Sequence, residues 1–252
     1  MHKRIRPVID PGQLKPSTNN LSKTRLLDAA LHLIRAKGYA ATAVDEICLR
    51  AGVTKGSFFH HFKSKDDLAL AAIAYWQEKA EGIFAAASYH EAKDPLDRLL
   101  GYLDLRAALL TGELADYTCL LGTLLQETHA THPAIRVACE RVLSAHIAEL
   151  ARDVAAAKRL YAPRATWSAQ SVGNFIEAVL QGSFIFAKAK QSPEVVRDDI
   201  KHLSRYLRLL FQPEKDSGPE DARKFDLQAA RDSDPEPEPD EENAPLQSHF
   251  VD

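Results

Sequence analysis

The segment from Thr42 to Lys65 constrains this chain most, because its pattern predicts two short helices joined by a tight turn. Thr42, with Asp45 three residues later, predicts the cap of the first helix, and Thr54 predicts the cap of the second. Gly52 lies between the helices, where the backbone must turn sharply and a residue that tolerates positive φ is favoured. The segment therefore indicates a helix-turn-helix, a motif that places its second helix in the major groove of DNA.

The second of these helices, from Thr54 to His61, is the predicted recognition helix. Lys55 lies at its N-terminal end, where such helices meet base edges, and Gly56 allows the backbone to come close. The hydroxyl, imidazole and ammonium groups nearby are donors of the kind that fix register on phosphates. The predicted DNA-binding residues are Thr42, Thr54, Lys55, Gly56, Ser57, Phe59, His60, His61 and Lys65.

A third helix is predicted before the motif, from Lys23 to Lys37, with Gly38 as its stop. Its apolar residues recur at helical spacing, which indicates one buried face. Phe58 and Phe62 of the motif are better explained as core residues than as DNA contacts. Together these segments predict a three-helix DNA-binding domain.

The run from Leu26 to Leu70 resembles the N-terminal domain of the TetR family of bacterial repressors. The resemblance implies an all-helical homodimer whose N-terminal domains bind a palindromic operator, and whose larger C-terminal domains bind a small ligand and each other. Phe59 departs from the family, which usually has Tyr there, so a phenol that contacts a phosphate is lost and His60 and His61 are the neighbours able to compensate. The shared positions are Gly38-Tyr39, Thr42, Val44, Ile47, Ala51-Gly52-Val53, Lys55-Gly56, Phe62 and Ser64-Lys65.

The rest of the chain predicts a helical bundle, and no strand pattern competes with it. The fold class is therefore all-α: an N-terminal three-helix helix-turn-helix DNA-binding domain followed by a C-terminal helical-bundle domain for ligand binding and dimerisation. Caps and helix-opening prolines set the bounds. The predicted helices run from Ser64 to about Tyr89, from Asp94-Pro95 to about Leu110, from Thr118 to about Thr128, from His132-Pro133 to near Leu160, from Trp167 to Lys190 with Thr166 as the cap, and from Glu194 to Phe211 after Ser192-Pro193.

Four parts are predicted along the chain: a flexible basic arm at 1–20, the DNA-binding domain at 21–67, the helical domain at 68–211 and a disordered acidic tail at 212–252. Residues 1–65 contain 12 Lys and Arg against 4 Asp and Glu, whereas residues 213–252 contain 4 against 13. A positive N-terminal domain is what phosphate neutralisation requires. The arm either contacts DNA or has no role, and the tail either only solvates the protein or competes with DNA for the basic domain.

The last two predicted helices offer more apolar residues than one bundle face needs, which predicts a dimer surface. In the resembled family these helices pair with their symmetry mates as a four-helix bundle. The alternative is that the same residues lie in the core of one subunit. They are Phe175, Val179, Gly182, Phe184 and Phe186 on one helix, and Ile200, Leu203, Tyr206, Leu207 and Leu210 on the other.

The sequence says less about the small-molecule ligand, an inducer, than about DNA binding. Residues 117–127 resemble a TetR subgroup that includes the N-ethylmaleimide reductase repressor and the acrylate-responsive repressor, although Thr123 replaces the frequent Asn. Cys119 follows a predicted helix cap, so the helix dipole is expected to lower its thiol pKa and favour reaction with electrophiles. The alternative is a small buried hydrophobe. The predicted ligand-binding residues are Cys119, Tyr102, Arg106, Gln126, Trp167 and Asn174, with His129, His146 and Glu177 as weaker candidates left out of that set.

Other functional classes have little support in the sequence. His129 and His132 lack the i, i+4 pairing of helical zinc sites, and we expect no metal and no cofactor. The sequence contains neither a phosphate-binding loop nor a nucleophile elbow, so it gives little support to an enzyme. An architectural DNA-binding protein is the other alternative, but it would not need a helical domain of this size. Apolar stretches fall short of the roughly 20 residues of a membrane span, and the first ten residues lack an apolar signal region. A cytoplasmic regulator that binds double-stranded DNA is expected.

Overall fold

The described part of the chain, residues 18–212 of this computed structural model, consists of helices joined by short turns, with side chains described from residue 21. These residues contain no strand, so the predicted all-α fold class is confirmed. A short 3-10 helix, Ser88–Glu91, lies between α4 and α5. The helices are α1 Thr18–Lys37, α2 Val44–Ala51, α3 Lys55–His61, α4 Lys65–Ala85, α5 Pro95–Ala108, α6 Leu114–Tyr117, α7 Leu120–Thr128, α8 Pro133–Tyr161, α9 Ala169–Lys190 and α10 Glu194–Leu210.

The turn between α2 and α3 forms as the sequence predicts. Gly52 has a φ of 63°, in the left-handed region that glycine adopts without strain. Its N–H donates to the carbonyl of Leu49 at 3.2 Å, which closes the end of α2. Thr54 caps α3, because its hydroxyl oxygen accepts the N–H of Ser57 at 3.2 Å. The helix-turn-helix is therefore confirmed at both of these positions.

The predicted cap at Thr42 is wrong. Ala43 is the N-cap of α2, and the carboxylate of Glu46 accepts the Ala43 N–H at 3.0 Å. The Thr42 side chain is buried, and its hydroxyl donates to the carbonyl of Gly38 at 2.6 Å. Thr42 therefore closes the turn that follows α1, and its side chain lies outside any surface that DNA can reach.

Two helix starts in the second half of the chain follow the predicted helix-opening prolines. Pro95 begins α5, and the Asp94 carboxylate accepts the N–H of Leu96 at 2.8 Å. Pro133 begins α8, which runs to Tyr161. The first turn of a helix tolerates a proline because a backbone N–H at that position would have no partner within the helix.

Two further helix starts differ from the prediction. Cys119 rather than Thr118 is the N-cap of α7, since the Thr118 hydroxyl donates back to the carbonyl of Leu114 at 2.7 Å and ends α6. Ser168 rather than Thr166 caps α9, where its hydroxyl accepts a backbone N–H. The Cys119 side chain makes no capping hydrogen bond, whereas at α9 two nearby hydroxyls could serve and Ser168 does.

The structure also contains two short elements that the sequence did not reveal. The helix α6 begins after Gly112, which has a φ of 78°, and the Asp116 carboxylate accepts the N–H of Glu113 at 2.9 Å. The 3-10 helix takes up residues that were predicted to continue α4 to Tyr89, so α4 ends at Ala85. Both elements lie at the border of the cavity described below.

Buried apolar side chains form two clusters. The first joins α1–α4 with α7 and the first turns of α8, and it includes Phe58 and Phe62, as predicted. The second joins α5, the later turns of α8, α9 and α10. The partly buried Cys119 contacts both clusters. The first core thus extends beyond residue 67, and the predicted domain boundary at 67/68 stays a prediction.

The chain ends bear on two further predictions. The arm at 1–20 overlaps α1, which begins at Thr18 rather than Lys23. The rest of the arm and the acidic tail from 213 onward lie outside the described residues. Within residues 18–212, no helix is both long and apolar enough to span a membrane.

Candidate functional site

The outer face of α3 carries most of the predicted DNA contacts. Lys55, Gly56, Phe59 and His60 are exposed, and Ser57 is half-buried. Phe59 is a large apolar side chain, yet 55% of it is exposed, so it is available for contact with a partner. Its ring packs edge-on against Phe58, with centroids 5.2 Å apart. These residues together form one face that a DNA groove can meet.

Lys55 is held at the start of α3 by an ion pair. Its ammonium lies 2.8 Å from the carboxylate of Asp45 on α2, and both side chains are more than half exposed. Exposed pairs of this kind contribute only about 0–1 kcal/mol to stability. Lys55 can therefore exchange Asp45 for a base edge or a phosphate at little cost.

His61 faces inward from the same helix. Its Nε2 lies 2.7 Å from the hydroxyl of Ser22 on α1. Partial burial, together with the charges of His60 and Lys23, lowers the pKa of His61. A neutral His61 that contacts α1 is placed to orient α3 rather than to bind phosphate. His60 is the exposed imidazole of the pair.

Lys65 is half-buried and engaged within the protein. Its ammonium donates to the carbonyls of Tyr39 at 3.0 Å and Thr42 at 3.2 Å, and it lies 4.2 Å from the centre of the Tyr39 ring. These contacts fasten the start of α4 to the turn between α1 and α2. Lys63, which is exposed directly after α3, was not selected from the sequence and is a better placed candidate for a phosphate contact.

A cavity of about 880 Å³ is lined by residues of α1 and α4–α9. Its volume is within the range of small-molecule sites. Of the predicted ligand-binding residues, Cys119, Tyr102 and Arg106 line it. Aromatic side chains form much of the wall, namely Trp76, Phe84, Tyr89, Tyr102, Tyr117 and Phe184.

One corner of this cavity holds a chain of polar groups. Arg106 donates to the hydroxyl of Tyr102 at 3.1 Å, and that hydroxyl lies 2.9 Å from Nε2 of His146. Glu177 lies beyond His146, with 3.9 Å between Oε2 and Nε2. Burial raises the pKa of Tyr102 and lowers the pKa of His146, so a protonated phenol donating to a neutral imidazole is the favoured state. We name Arg106, Tyr102, His146 and Glu177 the polar corner.

Cys119 lies at the cavity wall, at the start of α7, but its chemistry differs from the prediction. Burial and the negative charge of Glu177 raise its pKa, although hydrogen bonds from Gly122 and Gln181 act in the opposite direction. The expected low thiol pKa is therefore wrong, because desolvation outweighs the helix N-terminus. Cys48 and Cys139 are buried and free, in keeping with a structural role.

Comparison with known proteins identifies the family. The family model described as bacterial regulatory proteins, tetR family, matches residues 26–72, and the model described as Tetracyclin repressor-like, C-terminal domain, matches residues 95–203. The chain belongs to the TetR family. It is a transcriptional regulator with a helix-turn-helix DNA-binding domain.

The relatives of this TetR-family chain are transcriptional regulators, and the similarity extends over most of their length. The transcriptional regulator AcuR of Cereibacter sphaeroides is 28% identical over 74% of this chain and 85% of its own length. The crystal structure of regulatory protein TetR from Rhodobacter sphaeroides covers 73% of this chain and 98% of its own, with 26% identity and a TM-score of 0.66. The reduced form of Escherichia coli NemR covers 72% of this chain and 95% of its own, at 20% identity and a TM-score of 0.61, and shares the fold.

Three predicted ligand-binding residues of this TetR-family protein do not line the cavity. Gln126 is exposed, and its amide donates to the carbonyl of Gly122 on its own helix. Trp167 packs edge-on against Phe211 at 5.5 Å, at the far end of the second core. Asn174 is exposed on α9. Polarity at a helical position predicted Gln126 and Asn174, but the rotation of their helices points both away from the cavity. Trp167 precedes α9, which begins at Ala169.

Sequence reasoning missed Arg35, a buried cation on α1 that also lines the cavity. Its guanidinium donates to the carbonyl of Asp116 at 2.9 Å and lies 4.8 Å from the ring centre of Trp76. Burial lowers its pKa, while Asp116 opposes that shift. The available signal was its position four residues after the buried Leu31, on the apolar face of α1. His146 and Glu177 were weighed and left out, yet both line the cavity.

A second contact joins the other end of α7 to the DNA-binding helices. The Glu127 carboxylate accepts the N–H of Ala40 at 2.8 Å. Gly38, which has a φ of 93°, lies so close that a Cβ there would collide with this carboxylate. Together with Arg35, this contact fixes the segment from α6 to α7 to the end of α1.

The predicted dimer surface divides into two groups. Phe184, Ile200, Leu203 and Leu207 belong to the core of the subunit. Phe175 on α9 and Tyr206 on α10 are exposed, with ring centres 5.0 Å apart. The exposed large apolar residues of these two helices are Phe175, Ile185, Phe186, Tyr206 and Leu209.

Proposed function

We propose that this TetR-family regulator is a repressor that binds a palindromic operator as a homodimer and is released by a small molecule held in the cavity. The observation that carries this proposal is Arg35, which lines the cavity and belongs to α1 of the DNA-binding domain. A ligand that displaces Asp116 or Trp76 changes the contacts of Arg35 directly. Ligand binding and helix position are thereby coupled.

The coupling has two parallel paths in this fold. Trp76 and Phe84 place α4 against the ligand, and α4 follows the recognition helix directly. The second path is the segment α6–α7, which contacts the end of α1 through Arg35 and Glu127. A shift of either path changes the separation of two recognition helices, which must lie about 34 Å apart to read successive turns of DNA. Differential affinity of roughly 100-fold would shift the DNA-binding equilibrium by about 2.7 kcal/mol.

The dimer is supported by the exposed apolar face of α9 and α10. Several large apolar side chains exposed on two adjacent helices mark an interaction surface more often than a solvated one. Symmetric pairing of this face would bury the same residues from each subunit. Two DNA-binding domains would then read two half-sites.

We also propose that the chain belongs to the subgroup whose Cys-Leu-Leu-Gly-x-Leu segment it shares. That segment, Cys119–Leu124, begins α7 at the cavity wall. Its position makes it a part of the site that meets ligand. The raised pKa of Cys119 disfavours a thiolate and therefore argues against electrophile sensing through this residue.

Selection of bound sequences from a random DNA pool at physiological salt tests the proposed function. A palindrome with two half-sites about one helical turn apart is the expected result. The Lys55→Ala variant should recover a weaker consensus, with about 1–3 kcal/mol less discrimination at the base it contacts. Asp45→Asn is the matched control, since it frees Lys55 without removing it. Recovery of no consensus by a folded wild-type protein would refute the proposal.

A further inference from the structure

Glu177 is a buried carboxylate at the cavity wall, and one of its oxygens lacks a hydrogen-bond donor among the described residues. Its side chain is 6% exposed, and Oε1 accepts the amide of Gln181 at 2.7 Å. Oε2 has no hydrogen-bond partner among the described residues. A buried acceptor without a donor costs about 1–3 kcal/mol, and more if it is charged. The terminal torsion of glutamate is broad, so a donor entering the cavity can draw Oε2 toward itself.

The neighbouring groups do not supply that donor. Nε2 of His146 lies 3.9 Å from Oε2, beyond hydrogen-bond distance. The same nitrogen is the partner of the Tyr102 hydroxyl at 2.9 Å, and burial lowers the pKa of His146. A neutral imidazole that accepts from Tyr102 at Nε2 has no proton there to give to Glu177.

Arg106 belongs to the same polar corner, where its charge interacts with that of Glu177, and it has N–H donors to spare. Its guanidinium donates to Tyr102, and no carboxylate of the described residues lies within 4.0 Å of it. The rings of Phe84, Tyr102 and Phe184 surround it, each with its centre 5.7–5.9 Å from the guanidinium carbon. A guanidinium has five N–H donors, so it can still bind an acceptor from the cavity.

We propose that the ligand of this cavity is an uncharged hydroxylated aromatic compound, whose O–H donates to Glu177 and whose oxygen accepts from Arg106. The inference rests on the proposed function, since it names the class of molecule that the regulator senses. A hydroxyl is both donor and acceptor, whereas an ionised carboxylate only accepts and an ammonium only donates. The aromatic walls supply the apolar part of the site.

Charge favours the same class. The polar corner contains one basic and one acidic side chain, Arg106 and Glu177, and burial lowers the pKa of the His146 between them. A cationic ligand would leave an excess positive charge beside Arg106, and an anionic ligand would meet Glu177, with either charge poorly solvated. A neutral ligand avoids both penalties. It also leaves Tyr102 and His146 in their present protonation states.

Calorimetric titration of the full chain without DNA tests this assignment. The probes are naphthol, naphthalene, methoxynaphthalene, naphthoate and naphthylmethylammonium, which share one ring system and differ in the polar group. Naphthol should bind about tenfold more tightly than the methyl ether, which lacks only the donor to Glu177, as one satisfied buried hydrogen bond predicts, and more tightly still than naphthalene, which also lacks the acceptor for Arg106. The two charged probes should bind more weakly than naphthol.

Variants at Glu177 identify the group responsible. Glu177→Leu should reduce the preference for naphthol over methoxynaphthalene, which keeps the acceptor for Arg106, to less than about twofold, and Glu177→Gln, which keeps a carbonyl acceptor, should retain part of it. Asn174→Ala is the control, because it lies on the same helix but is exposed and outside the cavity. Thermal unfolding of each variant verifies that it is folded.

The assignment is overturned by no preference for naphthol over methoxynaphthalene in the wild type, by such a preference persisting in Glu177→Leu, or by tighter binding of either charged probe. Absence of binding by every probe would overturn it as well. The titration does not depend on DNA, so its failure is separate from failure of the operator selection. A protein that selects a palindrome but shows no preference for naphthol loses only this inference.

Discussion

At the residue scale, burial decides the chemistry of the cysteines. The pKa of Cys119 is raised by burial and by Glu177, and burial raises the pKa of Cys139 to about 12. Each thiol therefore stays protonated, and unreactive, to a higher pH than a free cysteine does. The position of Cys119 at the start of a helix had suggested a lowered pKa. The sequence reveals the helix end, but it does not reveal the carboxylate and the apolar surroundings that α9 places beside the thiol.

We predict that N-ethylmaleimide labels Cys119 slowly at neutral pH. The rate should be several-fold below that of glutathione and should keep rising at pH values where the rate of glutathione has levelled, since a raised pKa delays thiolate formation. Mass spectrometry of digested protein locates and times the label. Cys119→Ser provides the background from the other two thiols. Rapid labelling of Cys119 at pH 7 would contradict the raised pKa.

Lys65 and Lys63 provide a second test at this scale. Lys65→Ala should lower the free energy of unfolding by about 1–2 kcal/mol, because its half-buried ammonium donates to two carbonyls. Lys63→Ala, an exposed change, should alter stability by less than about 0.5 kcal/mol and instead reduce the salt dependence of DNA binding by about one ion. Urea unfolding and DNA titrations over a salt series measure the two effects. Equal stability of the two variants would show that Lys65 is not engaged as described.

At the scale of elements, local sequence is a good guide where one side chain sets a boundary. Asp94 and Pro95 start α5 as predicted, and Gly52 makes the turn before α3. Prediction fails where two candidates compete, as at Thr166 and Ser168, because both residue types cap helices and the local sequence does not decide between them. The helix α6 escapes notice because four residues carry no periodicity.

The contact between α7 and the end of α1 gives a prediction at the same scale. Gly38→Ala should destabilise the protein by more than the roughly 1–2 kcal/mol of its positive φ, because the new Cβ also collides with the Glu127 carboxylate. In a Glu127→Ala background, the same change should cost only the backbone part. Urea unfolding of the two single variants and the double variant gives the coupling. Additive effects would show that α7 does not contact Gly38 in solution.

At the scale of the whole molecule, the cavity is the feature that sequence reveals least. Tyr102 and Arg106 come from α5, His146 from α8 and Glu177 from α9, so the polar corner exists only when three helices pack together. Sequence analysis found half of these residues by their polarity. It also selected Gln126 and Asn174, which have the same polarity but face solvent. The rotation of each helix about its axis decides between them, and the core on the opposite side of that helix fixes this rotation.

The exposed face of α9 and α10 leads to the last prediction, which concerns assembly. Phe186 is 57% exposed on α9, and Tyr206 and Leu209 are exposed on α10. If this face joins two subunits, Phe186→Glu places a charge in an apolar interface, and burying it without a partner disfavours association. The variant should sediment as a monomer at concentrations where the wild type is a dimer, with operator affinity reduced by about tenfold or more, because one subunit reads only one half-site.

The control for this experiment is Val137→Glu, which changes an apolar side chain of similar exposure, 53%, on α8. It should leave both the sedimentation coefficient and operator binding unchanged. Thermal unfolding of Phe186→Glu at low protein concentration separates loss of the dimer from loss of the fold, since an exposed substitution should alter the stability of the subunit itself by less than about 0.5 kcal/mol. A Phe186→Glu protein that remains a dimer would place the interface elsewhere. In that case the apolar face of α9 and α10 would be the binding surface for a different partner.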